Sequence, residues 1–141
     1  MNLLSSPWPP TPPQRSALMK RVRRKDTAPE ISVRRHLHRA GLRFRLHVRA
    51  LPGTPDIVLP RYHTAIFVHG CFWHGHDCKH GAVQARTNAE YWRAKIAANR
   101  ERDAGKAHGL RALGWIVETV WECESADADM LNALIERIRR R

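Results

Sequence analysis

The sequence predicts an α/β domain in which a central mixed sheet is flanked by helices. Three observations carry that reading. Short apolar runs bounded by Pro and Gly read as strands, and runs of helical period bounded by capping residues and glycines read as helices. The two kinds interleave along the chain, as they do in α/β proteins. One run, Ala65-Ile66-Phe67-Val68, is almost wholly apolar, the pattern of a central strand covered on both faces. With 141 residues, 43% of them hydrophobic, the chain has material for one core, and it contains no internal repeat.

Residues 1–13 hold five of the nine prolines and no charge, so they read as a flexible leader ahead of a single domain over 14–141. A short helix is expected from Ser16 to Arg24, presenting Leu18, Met19 and Val22. Thr27-Ala28-Pro29-Glu30 has the form of a capping box, with Thr27 as N-cap and Glu30 reaching back. The helix it opens runs to Ala40, turns Val33, Leu37 and Ala40 inward, and stops at Gly41. Phe44–His47 reads as a strand. Leu51-Pro52-Gly53-Thr54-Pro55 is a turn into a second strand, Asp56–Leu59, ended by Pro60. Ala65–Val68 is the third strand, followed by a loop rich in His and Cys from His69 to His80. Thr87 or Asn88 caps a long helix extending to about Leu113 and closed by Gly114. Trp115–Val120 is a fourth strand, and Ala126–Arg140 a last helix with Ser125 as its N-cap.

The chain carries 25 Lys and Arg against 13 Asp and Glu, a formal charge of +12. That balance disfavours a free-standing enzyme of small metabolites and points to a polyanion, most simply nucleic acid. The excess is concentrated: Gln14 to Arg49 holds twelve Lys and Arg but only two acids, Asp26 and Glu30. Ten uncompensated charges within 36 residues repel one another unless phosphates neutralise them. No apolar run approaches the roughly 20 residues of a membrane span, and the first residues lack the cationic region of a secretory signal. Three cysteines, an odd number, fit a reducing compartment better than a disulfide framework. The expected location is therefore cytoplasmic, on the nucleoid.

Cys71-Phe72-Trp73-His74-Gly75-His76-Asp77-Cys78 puts two thiols and two imidazoles within eight residues. Zinc prefers tetrahedral Cys/His shells, and a structural site has all four positions filled by protein. Cys123 lies just past the fourth strand, where a sheet can return it to the end that carries the loop. The sequence lacks the His-Glu-x-x-His of zinc proteases and the His-x-Glu with Pro-Cys-x-x-Cys of deaminases, so the zinc is expected to be structural.

Pro55-Asp56 opens a strand directly after a turn, and another strand follows after the short connection Pro60 to His63. Metal-dependent nucleases place a carboxylate in that position because Mg²⁺ takes hard oxygen ligands and shares its shell with phosphate and water. The following strand in such sites usually adds an acid, a spacer and a lysine. Here the stretch is Phe67-Val68-His69. Either histidine replaces the lysine and a main-chain carbonyl the carboxylate, or the site is not a nuclease. His69 and His74 can both activate water near neutral pH, and Glu30 offers a further acid beside its capping role.

Arg15-Ser16-x-x-Met19, Lys25-Asp26-Thr27-x-x-Glu30, Leu51-Pro52-Gly53-x-Pro55-Asp56 and Phe67-x-His69-Gly70-Cys71-Phe72-Trp73-His74 together resemble the very-short-patch repair endonucleases (Vsr). Trp92, Gly114-Trp115 and Val120-Trp121-Glu122-Cys123 extend the resemblance, which spans about Gln14 to Glu124. It implies a PD-(D/E)xK-like restriction-endonuclease fold with a structural zinc. It also implies nicking of double-stranded DNA 5′ to the thymine of a T:G mismatch, the product of 5-methylcytosine deamination.

Carried over by motif, Asp56 would be the Mg²⁺ carboxylate with the backbone carbonyl of Val68 beside it. His74 would be the general base, His69 would assist at the scissile phosphate, and Glu30 would support the site. Zinc would take Cys71, His76, Cys78 and Cys123. Phe72, Trp73 and Trp92 would form an aromatic wedge opposed by Met19, with Arg15, Lys20 and Lys25 on the DNA. Such insertion has physical sense, since a wobble step opens at lower cost and stacked side chains recover part of it. Family members often carry Thr where this chain has Val68, so any role of that hydroxyl is lost. The resemblance further implies a functional association with a cytosine-5 DNA methyltransferase and contacts with mismatch-repair proteins, while a single nick needs only a monomer. Two other readings fit the charge and the thiols: a zinc-stabilised DNA-binding protein without catalysis, and a nuclease of the same fold with a different DNA target.

Overall fold

A computed structural model describes residues 25–71, 76, 78 and 89–141. The expected leader and the short helix of residues 16–24 lie outside the described residues. The order of elements is α1 (Ala28–Arg39), β1 (Arg45–Leu46), β2 (Ile57–Leu59), β3 (Thr64–His69), α2 (Ala89–Ala112), β4 (Ile116–Trp121) and α3 (Ala128–Arg139). The four strands form one sheet in the order β1-β2-β3-β4. β1, β2 and β3 pair antiparallel in succession, whereas β3 and β4 pair parallel. The parallel pair needs a crossover, which α2 provides. Mixed sheet and flanking helices are thus as the sequence predicts.

Alternation along the strands divides the core in two. Val33 and Leu37 of α1 pack with Ile57, Leu59, Ile66 and Val120 and with Leu131, Leu134, Ile135 and Ile138 of α3. Ala65 and Phe67, pointing the other way from β3, pack with Leu110 of α2 and with Leu51, Trp115 and Val117. The sheet therefore lies between α1 and α3 on one face and α2 on the other, and β3, buried along most of its length, is the central strand.

Local chemistry explains most boundaries. Thr27 accepts the Glu30 amide at 3.3 Å, as an N-cap should. Glu30 does reach back, but its Oε2 takes the Asp26 amide at 2.8 Å rather than that of Thr27. α1 closes with Gly41 at φ 86, where Leu42 N–H bonds the Leu37 carbonyl and Gly41 N–H that of His38. Those two bonds satisfy the orphan carbonyls of the last turn and require the left-handed conformation that glycine adopts at least cost.

Several boundaries differ from expectation: β2 begins at Ile57 rather than Asp56, and β3 spans Thr64–His69 rather than Ala65–Val68. β1 shrinks to two exposed residues because Arg45 and Leu46 lie at the sheet edge and His47 turns into the left-handed region at φ 47. β4 begins one residue later, since Trp115 serves the closure of α2 by donating its N–H to the Leu110 carbonyl. The N-cap of α3 is Asp127, which accepts from Asp129 N and Met130 N. Ser125 instead ends a 3-10 turn over Glu122–Glu124 and donates its hydroxyl to the Glu122 carbonyl at 2.8 Å. No helix among the described residues is long and apolar enough to cross a membrane.

Candidate functional site

The parallel pairing of β3 and β4 sets His69 opposite Trp121. Two residues beyond each lie Cys71 and Cys123, so the sheet brings both thiols to one end. The Cys123 amide donates to Cys71 Sγ at 3.4 Å, and Cys123 Sγ lies 3.5 Å from His76 Nδ1. Cys78 completes a group of four whose donor atoms all fall within 4.8 Å of one another. The backbone holds the intervening loop, with His76 N–H on the Cys71 carbonyl and Cys78 N–H on that of His76, each at 2.9 Å. The His76 ring is stacked on Trp121 at 4.1 Å with an interplanar angle of 11°.

Desolvation pushes the Cys123 thiol up to about 12, reinforced by hydrogen bonds and charge from Cys71 and Cys78, and desolvation raises Cys71 too. Three thiols this close resist ionising together. A soft cation reverses that preference by pairing with the thiolates, and two-element Cys/His sets of four are the donor chemistry of structural zinc. The cluster is therefore a fit site for a metal ion. His74, the other histidine of the loop, lies outside the described residues.

A second group forms where β2 begins. Asp56 Oδ2 accepts the Val68 amide at 2.8 Å, which ties the carboxylate to β3 one residue before His69. The ladder pairs Ile57 with Ile66, and continuing it by two residues sets Val68 opposite Pro55. Proline has no N–H to offer a partner strand, so Pro-Asp suits the point where pairing stops, and the hard carboxylate oxygens of Asp56 suit a cation such as Mg²⁺. Burial pushes the Asp56 carboxyl up to about 6. Glu30 adds to the rise, while the Val68 N–H, His47 and Lys106 oppose it.

Glu30 is 2% exposed and fully engaged. Its Oε1 receives Arg34 Nη2 at 2.6 Å and lies 2.9 Å from His47 Nε2. Arg34 Nη2 also bonds Asp26 Oδ1 at 2.6 Å, so both hydrogens of that nitrogen go to carboxylates. His47 Nε2 lies 3.2 Å from Arg34 Nη2 as well, so the ring nitrogen faces both the carboxylate and the guanidinium. His47 Nδ1 in turn faces Asp56 Oδ1 at 4.0 Å, and His47 N–H bonds the Asp56 carbonyl at 3.1 Å. Desolvation acts to lower the Arg34 guanidinium, but the hydrogen bonds to Asp26 and Glu30 outweigh it and its pKa is raised. Asp26 is held below its usual range, chiefly by the Arg34 hydrogen bond. Both acids of the basic segment are thus spent on Arg34, while Lys25, Arg35, Arg39, Arg43, Arg45 and Arg49 stay exposed.

His69 is buried, 3.9 Å from Asp103 Oδ2 through Nδ1 and edge-on to Trp121 at 5.3 Å. Trp121 thereby touches an imidazole of each group. Trp92 is buried at the start of α2, edge-to-face with Tyr91, so a wedge role for it requires uncovering. Met19, Phe72, Trp73, Arg15 and Lys20 lie outside the described residues. Sequence reasoning missed Arg34, His47, Asp103 and Lys106. Only Asp103 carried a signal, as an acid amid the basic stretch of α2.

Residues 10–80, half of the chain, match the sequence model of the family described as DNA mismatch endonuclease Vsr. The chain belongs to the Vsr family. A type II nicking enzyme of Xanthomonas oryzae pv. oryzae, V.XorIIP, is 50% identical over 128 residues, covering 91% of this chain and 93% of the relative. The Vsr DNA mismatch endonuclease of Escherichia coli K12 is 43% identical over 126 residues, 88% of this chain and 80% of its own. A type II nicking enzyme of Neisseria meningitidis, V.NmeAIP, is 39% identical over 133 residues, 92% of this chain and 94% of its own. Both groups of donors lie in the stretch these relatives share.

Proposed function

We propose that this Vsr-family chain is a strand-specific DNA mismatch endonuclease that nicks 5′ to the T of a T:G mismatch in a Mg²⁺-dependent hydrolysis. The observation that carries the proposal is the Asp56 carboxylate held by the Val68 amide at the β2–β3 end, one residue from His69 and beside a Cys/His cluster. The names of the relatives support DNA as substrate and nicking as outcome. The antiparallel hairpin feeding a parallel pair supports a PD-(D/E)xK-like fold over residues 14–141. Cytoplasmic location on the nucleoid goes with that substrate.

Bound at Asp56 and the Val68 carbonyl, Mg²⁺ would polarise the scissile phosphodiester and neutralise developing charge. The remaining chemistry falls to the chain. Asp56 is kept oriented by Val68 N–H and screened by His47, which Glu30 and Arg34 hold in place. His74, as general base, takes a proton from the attacking water. The water oxygen bonds to phosphorus, the bond to the leaving oxygen breaks, and that oxygen takes a proton from solvent. His69 assists at the phosphate, with Asp103 to steady its ring. Cys71, His76, Cys78 and Cys123 would hold zinc, which would fix the loop that carries Phe72, Trp73 and His74. The exposed arginines of α1 and β1 track the phosphates.

Labelled duplexes bearing a single T:G mismatch, incubated with protein and Mg²⁺, test this directly. The expected result is a nick in the T strand alone, lost by at least about 10³-fold in Asp56→Ala, since several kcal/mol of transition-state stabilisation go with the carboxylate. Binding without cleavage under varied divalent cations would instead favour a DNA-binding protein, and equal cutting of matched duplex a different target.

A further inference from the structure

The strand after Pro55-Asp56 carries His69 where nucleases of this kind usually place a lysine. The fold supplies a lysine from another element. On α2, Asp103, Lys106 and Leu110 stand at i, i+3 and i+7, which is one stripe of the helix. Leu110 is fully buried against Ala65 and Phe67, and Asp103 faces His69 across 3.9 Å. Both flanking positions look onto the sheet, so Lys106 between them does as well, and it is half-buried.

Its stem lies along the turn that delivers Asp56. A Cβ built on Gly53 would stand 2.5 Å from Lys106 Cγ and 2.7 Å from its Cβ and Cδ. Gly53 itself has φ +76, a conformation other residues rarely hold. The turn three residues ahead of Asp56 therefore serves as a saddle for the methylenes, with no side chain between the stem and the backbone. Among the described residues Lys106 makes no ion pair. Its charge is nevertheless felt at Asp56, where it opposes the upward shift caused by burial.

We infer that Lys106 is a further catalytic residue of the nicking reaction, its ammonium contacting the scissile phosphate from the α2 side of Asp56. The inference rests on the endonuclease reading above. Negative charge grows on the phosphoryl oxygens as water adds, and a cation already held by a helix and a glycine saddle answers it without reorganising. The ammonium acts there as a hydrogen-bond donor to the phosphoryl oxygens.

The test compares wild type, Lys106→Met, Lys106→Arg and Lys106→Ala on the T:G duplex under single-turnover conditions with Mg²⁺. Methionine retains an aliphatic stem over Gly53, so melting temperature is expected to hold. Nicking by Lys106→Met is expected to slow about 10²-fold, while affinity for the same duplex without Mg²⁺ falls by no more than a few-fold. Arginine should restore much of the rate, and millimolar ethylammonium should accelerate Lys106→Ala. A wild type that nicks while Lys106→Met nicks equally fast overturns this inference alone. Equal losses in Met and Arg with no amine rescue also overturn it, by assigning Lys106 a packing role. A wild type that never nicks the mismatch removes both this inference and the function on which it rests.

Discussion

The two donor groups at the ends of β2, β3 and β4 solve opposite problems with the same strand. β3 gives Val68 N–H to Asp56 on one side and, three residues after Val68, offers Cys71 to the thiol cluster on the other. The carboxylate end is held by protein: Asp26, Arg34, Glu30, His47 and Asp56 form a continuous chain of hydrogen bonds and charges. The thiol end offers a Cys/His set of four whose donor atoms lie within 4.8 Å of one another, a set that a soft cation would clamp. Trp121 lies between them, stacked on His76 and edge-on to His69. A carboxylate held by side chains is ordered before any cation arrives, whereas a Cys/His set of four would gain its order from the cation it binds.

The largest effect should come from cutting the clamp. Cys71→Ser replaces the one fully buried thiol, and the protein is expected to purify with well under half an equivalent of zinc and to lose about 5 kcal/mol or more of stability. Metal analysis and denaturant titration measure both. Retention of full zinc content would show that the thiol end does not depend on that ligand.

The carboxylate end should respond next, and differently. Glu30→Ala leaves Arg34 and His47 facing a buried gap, at a cost of about 3 kcal/mol. Adding Arg34→Met should recover part of that loss, because the stranded charge goes with it. Zinc content should stay at the wild-type level in both variants. An uncoupled pair, each loss simply adding to the other, would show that the network is not the unit drawn here.

How legible each end was follows from how local its chemistry is. Cys71 and Cys78, with two histidines between them, are neighbours in sequence, and a parallel β3–β4 pair returns Cys123 to them, so a cluster was readable from spacing, while the choice of His76 over His74 came from the family resemblance. The caps at Thr27, Gly41 and Gly114 were readable for the same reason. The carboxylate network was not. Glu30 meets His47 across 17 residues only because His47 adopts φ 47, and nothing in Arg45-Leu46-His47-Val48 announces it. Arg34 looked like one more cation of a phosphate-binding run, yet it is the counter-charge of a buried acid. Lys106 sits in a 24-residue helix whose inner stripe buries only Trp92 and Leu110, so no apolar period marks which face is inward.

Asp56 itself predicts a smaller effect of opposite sign. Its folded pKa of about 6 exceeds the ordinary 3.8, so the folded state holds the proton more tightly than the unfolded one. The stability this contributes is complete below about pH 3.8 and is lost as pH rises through about 6. At pH 7.5 the buried charge is a liability, and Asp56→Asn should be more stable than wild type by roughly 1–3 kcal/mol in buffer without Mg²⁺. That advantage should shrink toward zero below pH 4. Denaturant titrations at the two pH values check it, and an unchanged gap between them would show that the carboxyl is not desolvated.

The smallest effect lies on the arm that brings Cys123 to its cluster. The chain leaves β4 through the 3-10 turn Glu122–Glu124 and enters α3 at Asp127, whose carboxylate accepts from Asp129 N at 3.0 Å and Met130 N at 3.2 Å. Asp127→Ala removes that cap and should cost about 1 kcal/mol. Ser125 holds a different place, donating to the Glu122 carbonyl and lending its own carbonyl to the Ser32 hydroxyl. The first bond closes the turn and the second ties it to α1, both independently of the cap, so Cys123 should keep its position and zinc content should be unchanged in Asp127→Ala. Loss of metal from that variant would mean that the helix start, rather than the sheet register of His69 and Trp121, is what holds Cys123 against Cys71.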